Sequence, residues 1–307
     1  MLDVQLKAML DAARDAALPA METLPVEVGR MAYREMRADG DVTFTGVTRD
    51  LKVDGAVGVL DARLYTPSGA PDPGPGMVFY HGGGFVIGDL ESHDGLCRRL
   101  VEASGARILA IDYRLAPEAK FPAAHEDAVA AANWAFEHAA EIGFDPARIA
   151  VGGDSAGGNL AASTAITLRD QGRYKLAFQL LLYPVVQFTG ETQSMRKLAD
   201  GFFLTKKAMD WFTGCLFGDA DKAHPQASVL LHPALEGLPP AFVATAGFDP
   251  LKDEGRAYAE KLIAAGVQVE HREYANFIHG FYNMAGVSAA IPRVIEETAK
   301  ALKAGLG

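Results

Sequence analysis

Apolar residues in this chain come in short blocks bounded by turn residues. MVFY (77–80), RILAIDY (107–113), RIAVGG (148–153), FQLLLYP (178–184) and AFVATAG (241–247) lack the alternation of a half-wet strand. They read as strands buried on both faces. Helical patterns lie between them, at AAHEDAVAAANWAFEHAAEIG (123–143), NLAASTAITLRDQ (159–171) and DEGRAYAEKLIAAG (253–266). That alternation predicts an α/β fold with a mostly parallel central sheet and helices on both faces. Upstream, VTFTGVTRDL (42–51) and VGVLDARLYTP (57–67) read as two strands joined by a turn at Val53-Asp54-Gly55, and VQVEHREY (267–274) reads as the last strand.

Two stretches break this rhythm. Residues 185–235 show no strand pattern, and FFLTKKAMDWFTGCLFG (202–218) is dense in aromatics. At the start, Leu6, Met9, Leu10, Ala13 and Ala17 fall at helical spacing, which predicts an amphipathic helix and not a signal peptide. Together these stretches predict a helical cap over the sheet. The division expected is 1–40 for the N-terminal part of the cap, 41–184 for the first part of the core, 185–235 for the cap insertion and 236–307 for the rest of the core. The alternative is an extra helical layer with no role at the site.

Composition narrows the function classes. With 49% hydrophobic and 22% charged residues the chain has a globular profile, and its net charge of −10 offers no basic face to nucleic acid or an anionic membrane. No apolar run approaches the ~18 residues of a membrane span. Cys97 and Cys215 stand in no metal or redox motif, so a reduced, cytoplasmic setting is expected. No H-E-x-x-H spacing is present, and neither a metal nor a cofactor is expected. A homodimer and a monomer both stay open.

The chemistry starts at Gly153-Asp154-Ser155-Ala156-Gly157, a G-x-S-x-G run between a strand and a helix. Glycines flank the serine because side chains two residues away would collide on so tight a turn. Alone, the run could also be a plain glycine-rich turn. It is not a Walker loop, whose spacing is absent. Directly after MVFY comes His81-Gly82-Gly83-Gly84-Phe85, whose glycines let backbone N–H groups converge on a developing oxyanion. The donors expected are Gly83, Gly84 and Ala156, with His81 as a scaffold for the loop.

A serine nucleophile needs a base and an orienting acid, and in this arrangement they follow it along the chain. His279, in a loop after the last strand, is the candidate base; His224 and His232 fall in the cap and His271 within a strand. Asp249, at the end of AFVATAG, is the candidate acid, while Asp253 and Glu254 are expected to decorate the first turn of the next helix. The three chosen residues all fall at strand C-termini, where open α/β sheets carry their sites. Phe203, Trp211 and Phe212 are candidate walls of a substrate pocket.

HGGGF (81–85), DYRLAPE (112–118), GDSAGG (153–158), DPLKDEG (249–255) and HGF (279–281) occur in one order over nearly the whole chain. In this the sequence resembles the hormone-sensitive-lipase-like family of α/β-hydrolases, the bacterial carboxylesterases with an HGGG motif. The resemblance implies the α/β-hydrolase fold with a helical cap, a Ser155–His279–Asp249 triad and an oxyanion hole from Gly83, Gly84 and Ala156. It implies hydrolysis of short- to medium-chain carboxylic esters, small-molecule substrates, through an acyl-enzyme and without cofactor. DYRLAPE and FPAAHEDA (121–128) are expected to be structural. Two rivals stand beside this: an acyl hydrolase acting on amides, lactones or acetylated small molecules, and a non-catalytic ligand-binding protein of the kind of the plant gibberellin receptors. That last class loses the catalytic histidine, and His279 is present.

Overall fold

The computed structural model describes residues 1–37 and 42–307, so the boundary expected at residue 40 lies outside the described residues. Among the described residues eight strands form one sheet, β1 (Val47–Gly55), β2 (Gly58–Thr66), β3 (Gly74–Tyr80), β4 (Arg107–Asp112), β5 (Phe144–Asp154), β6 (Phe178–Leu182), β7 (Ala241–Phe248) and β8 (Val269–Ile278). Their spatial order is β1-β2-β4-β3-β5-β6-β7-β8. β2 runs antiparallel to both its neighbours, and every other pairing is parallel. This is the α/β-hydrolase architecture.

The helices are α1 (Val4–Asp15), α2 (Val26–Arg37), α3 (Asp94–Ser104), α4 (Ala123–Glu137), α5 (Ala156–Gln171), α6 (Gln193–Lys197), α7 (Lys206–Phe217), α8 (Lys252–Ala264) and α9 (Ile291–Leu306). α4, α5 and α8 cover one face of the sheet, and α3 and α9 the other. Alternation along the strands feeds both cores. Val78 and Tyr80 of β3 pack on the first face, Met77 and Phe79 on the second. That is why these strands read as unbroken apolar runs. α9 buries Ile291, Val294, Ile295, Thr298, Ala299, Leu302 and Leu306, a single stripe at helical spacing.

The first hairpin departs from the sequence reading. Val53 and Asp54 do not turn but pair with Leu60 and Val59, and the hairpin closes where Gly55 meets Gly58 around Ala56-Val57. Gly58 takes φ +91°, a conformation that costs glycine little, which fixes the turn there instead of three residues earlier. β1 also begins only at Val47; Phe44 packs its ring edge-on to Tyr65, with centroids 6.3 Å apart.

α2 is tied by arginines to the loops that follow β3 and β4. Arg30 donates from Nη1 and Nη2 to the Glu118 carboxylate at 3.0 and 2.7 Å and from Nε to the Val86 carbonyl at 2.9 Å. Arg34 pairs with Asp89 at 2.6 Å. DYRLAPE and FPAAHEDA meet in a second clamp, where the fully buried Asp127 carboxylate accepts from Arg114 Nε at 2.7 Å and Nη2 at 2.9 Å. Bidentate pairs of this kind lock the loop beside the site.

Candidate active site

Ser155 ends β5 and opens α5 at φ 55°, ψ −115°, a left-handed backbone position that is unfavourable for a side chain. The neighbouring chain leaves it no alternative. A methyl group on Gly157 would overlap the Tyr80 carbonyl, and one on Gly153 would overlap both Tyr80 and Gly157. The turn lifts Ser155 Oγ to 2.8 Å from His279 Nε2. His279 follows β8 directly, and its Nδ1 lies 2.7 Å from Asp249 Oδ2. A carboxylate only accepts, so Nδ1 carries the proton and Nε2 is free to take one from the serine. Asp249 is fully buried, and its other oxygen accepts the Leu251 N–H at 2.8 Å.

The three expected oxyanion donors flank this chain. Among the described residues the N–H groups of Gly83, Gly84 and Ala156 make no hydrogen bond to the rest of the protein. Gly83 and Gly84 sit at φ +117° and +61°, which turns the loop so tightly that a methyl group on Gly83 would overlap the Ile87 carbonyl. Gly82 uses its N–H differently, donating to Asp154 Oδ1 at 2.8 Å. His81 stacks on Tyr113 with centroids 4.3 Å apart, and burial pushes its imidazole down to about 4. A neutral, enclosed ring suits the scaffold role expected of it.

Sequence reasoning assigned nothing to Asp154, His93 or Asn283, yet they hold the loop from beneath. His93 Nε2 lies 3.2 Å from Asp154 Oδ1, and Asn283 Nδ2 donates to Oδ2 at 3.2 Å. Burial alone would raise the Asp154 carboxyl, but His93, Arg37 and the Gly82 N–H together hold it below its ordinary value. The available signal was the placement of an acid beside the nucleophile, inside a turn that glycines mark as buried.

Glu254 stands in the first turn of α8, as the sequence reading has it, but it is fully buried, accepting from Val186 N–H at 2.8 Å. Burial lifts its carboxyl to about 8. Asp253 also reaches away from water, accepting the Ser194 N–H at 2.8 Å. Neither touches His279.

Above Ser155 lies a cavity of ≈890 Å³ lined by residues from α1, α2 and the chain between Val185 and Lys222. Phe203 and Phe212 line it, and the Phe212 ring presses on Gly84. Trp211 does not, which corrects its candidacy as a pocket wall. On α7 the cavity is lined by Ala208, Met209, Phe212, Thr213 and Leu216 with Lys206 and Asp210, while Trp211 packs beside Phe212 with centroids 5.0 Å apart. Among the described residues no group of three or more His, Cys, Asp or Glu could hold a metal ion, and no helix is long and apolar enough to cross a membrane.

Comparisons with known proteins agree with this geometry. A family model described as the alpha/beta hydrolase fold matches residues 77–283. The carboxylic ester hydrolase LipN of Mycobacterium tuberculosis is 44% identical over 99% of this chain and 83% of its own. An ester-hydrolase from the metagenome of Lake Arreo superposes with a TM-score of 0.95 at 41% identity, over 99% of each chain. A thermostable esterase from Pseudomonas putida does so at 0.96 and 36%, over 100% of this chain and 98% of its own. On these matches, which span the family model over residues 77–283 and a relative at 44% identity, the protein belongs to the hormone-sensitive-lipase-like family of α/β-hydrolases.

Proposed function

We propose that this protein is a serine carboxylesterase acting on short- to medium-chain esters through an acyl-enzyme. The observation that carries this reading is the unbroken hydrogen-bonded chain from Ser155 through His279 to buried Asp249, at the floor of an apolar cavity. Ser155 Oγ attacks the ester carbonyl as its proton passes to His279 Nε2. Asp249 holds the imidazole and stabilises the cation that forms. The carbonyl oxygen, now negative, meets the free N–H groups of Gly83, Gly84 and Ala156. His279 returns the proton to the departing alcohol, and a water deprotonated by the same nitrogen releases the acid.

The segments 1–37 and 185–235 act as the cap, and their aromatic and aliphatic side chains set acyl length. Each buried methylene contributes about 0.8 kcal/mol, or roughly fourfold in kcat/KM, until the cavity is full. Rates on p-nitrophenyl esters rise from acetate to a maximum around C4–C8 and then fall. Both Cys97 and Cys215 are unpaired, which supports a cytoplasmic setting. Ser155→Ala tests the nucleophile: it loses roughly 10³-fold or more in kcat and no longer takes a fluorophosphonate label. A variant keeping a tenth of the wild-type turnover would remove Ser155 from that role.

A further inference from the structure

Arg37, the last residue of α2, lines the cavity beside the His279 loop and is only 4% exposed. Its guanidinium lies 5.1 Å from the ring centroids of both Tyr33 and Phe203. Two aromatic contacts restrict its motion and hold it in one plane. Arg37 Nη1 donates to the Gly280 carbonyl at 2.9 Å, while Nε is buried with no partner at all. Among the described residues no carboxylate forms an ion pair with it. Asp154 feels its charge but already has both oxygens engaged, by Gly82 N–H and His93 on one and Asn283 on the other. The Tyr33 hydroxyl is a neutral hydrogen-bond partner, its phenol pushed up by burial.

Other charges at the cavity are arranged differently. Lys7, Asp11 and Arg14 pair among themselves on the outer wall, as do Lys206 and Asp210, while Glu22, Asp200 and Lys222 also line it. Arg37 is therefore a buried, preoriented cation whose Nε–H is unspent. Burying such a charge unmatched is costly, and an arginine fork is shaped for a carboxylate. We propose that Arg37 is a carboxylate subsite, so that the preferred substrates are esters bearing a free carboxylate. This rests on the ester-hydrolase reading above.

The test compares kcat/KM within matched pairs. Ethyl hydrogen succinate against ethyl succinamate places the carboxylate on the acyl side; 4-acetoxybutanoate against 4-acetoxybutanamide places it on the alcohol side. In one pair the anionic ester is favoured by about ten- to a hundredfold, the range of a charge-assisted hydrogen bond. Arg37→Gln erases that preference, read as the ratio of the two members within a pair, and Arg37→Lys keeps part of it. Preference for the neutral ester in both pairs overturns the proposal. So does an equal loss on both members in Arg37→Gln, which would mean the arginine only positions Gly280. Fluorophosphonate labelling of Ser155 reports whether Arg37→Gln is folded; if it is unlabelled, the Lys variant decides, and a preference there equal to the wild type's overturns the subsite. A wild-type protein that hydrolyses none of the four esters and takes no label overturns the ester-hydrolase reading itself, and the subsite with it.

Discussion

Replacing Asp249 by asparagine changes no volume and so isolates one proton. Oδ1 of Asp249 accepts the Leu251 N–H at 2.8 Å, and Oδ2 faces His279 Nδ1 at 2.7 Å. In Asp249→Asn the amide must keep its oxygen on Leu251, since the opposite orientation would set donor against donor in a site closed to water. Its NH₂ then faces Nδ1, which has to become an acceptor. The imidazole proton moves to Nε2, the atom 2.8 Å from Ser155 Oγ, where it blocks removal of the serine proton. The expected loss in kcat is about 10⁴-fold, roughly 5.4 kcal/mol of barrier. KM on p-nitrophenyl butyrate should scarcely move, because Asp249 is buried beneath the histidine. A circular-dichroism melt separates this from unfolding. Asp253→Asn is the control: its carboxylate holds the Ser194 N–H and stands outside the triad, so kcat should stay within about threefold. An Asp249→Asn protein that keeps a tenth of wild-type kcat, or the reverse ranking of the two variants, would refute the assignment of the acid.

Gly83→Ala forces a methyl group against the Ile87 carbonyl at a backbone angle only glycine favours, so the N–H swings away. Removal of one such donor lowers kcat by about 10²–10³-fold, and a near-normal rate would show that Gly83 does not bind the oxyanion. Stability should follow pH through buried groups of opposite sign. Glu254 holds its proton up to about 8 in the fold and releases it near its ordinary value of 4.5 when unfolded, so its contribution is full below 4.5 and lost as pH rises towards 8. His81 and His125, both pushed down to about 4 by burial, refuse a proton that the unfolded chain accepts, so stability also falls as pH drops from 6.5 towards 4. Thermal melts across pH 4–9 should peak between these slopes, and Glu254→Gln should flatten the alkaline limb; parallel curves for variant and wild type would contradict the buried-acid account.

Local pattern carries much of this molecule, and the reasons can be named. Strands enclosed by two helix layers have no wet face, so RILAID and FQLLL announce themselves. The positions of Ser155 and Asp249 are legible because each follows or ends a strand whose apolar run is unmistakable, and His279 because it follows the last strand pattern. Phase and reach are another matter. Trp211 and Phe212 are adjacent on α7 and point about 100° apart, so composition cannot say which one faces the cavity until the helix has docked. Glu254 looks like any acid in a first helical turn, and its partner Val186 is 68 positions away. Arg37 and Gly280 are separated by 243 positions, and no pattern within α2 hints at their bond.

The cavity takes its chemistry and its shape from different stretches of chain. The nucleophile stands on a turn where Gly153 and Gly157 admit no side chain, while most of the wall comes from residues 2–37 and 185–222. A lineage can therefore drift towards new substrates by changing helices that take no part in bond breaking, with the elbow left untouched. The same division guides a mutagenesis library: diversity belongs in α1, α2 and α7, and the glycine turns should stay constant. Because the two wall segments meet, as Arg37 meets Phe203, some useful shapes require coordinated exchanges across both. Libraries that vary one segment at a time would pass those shapes by.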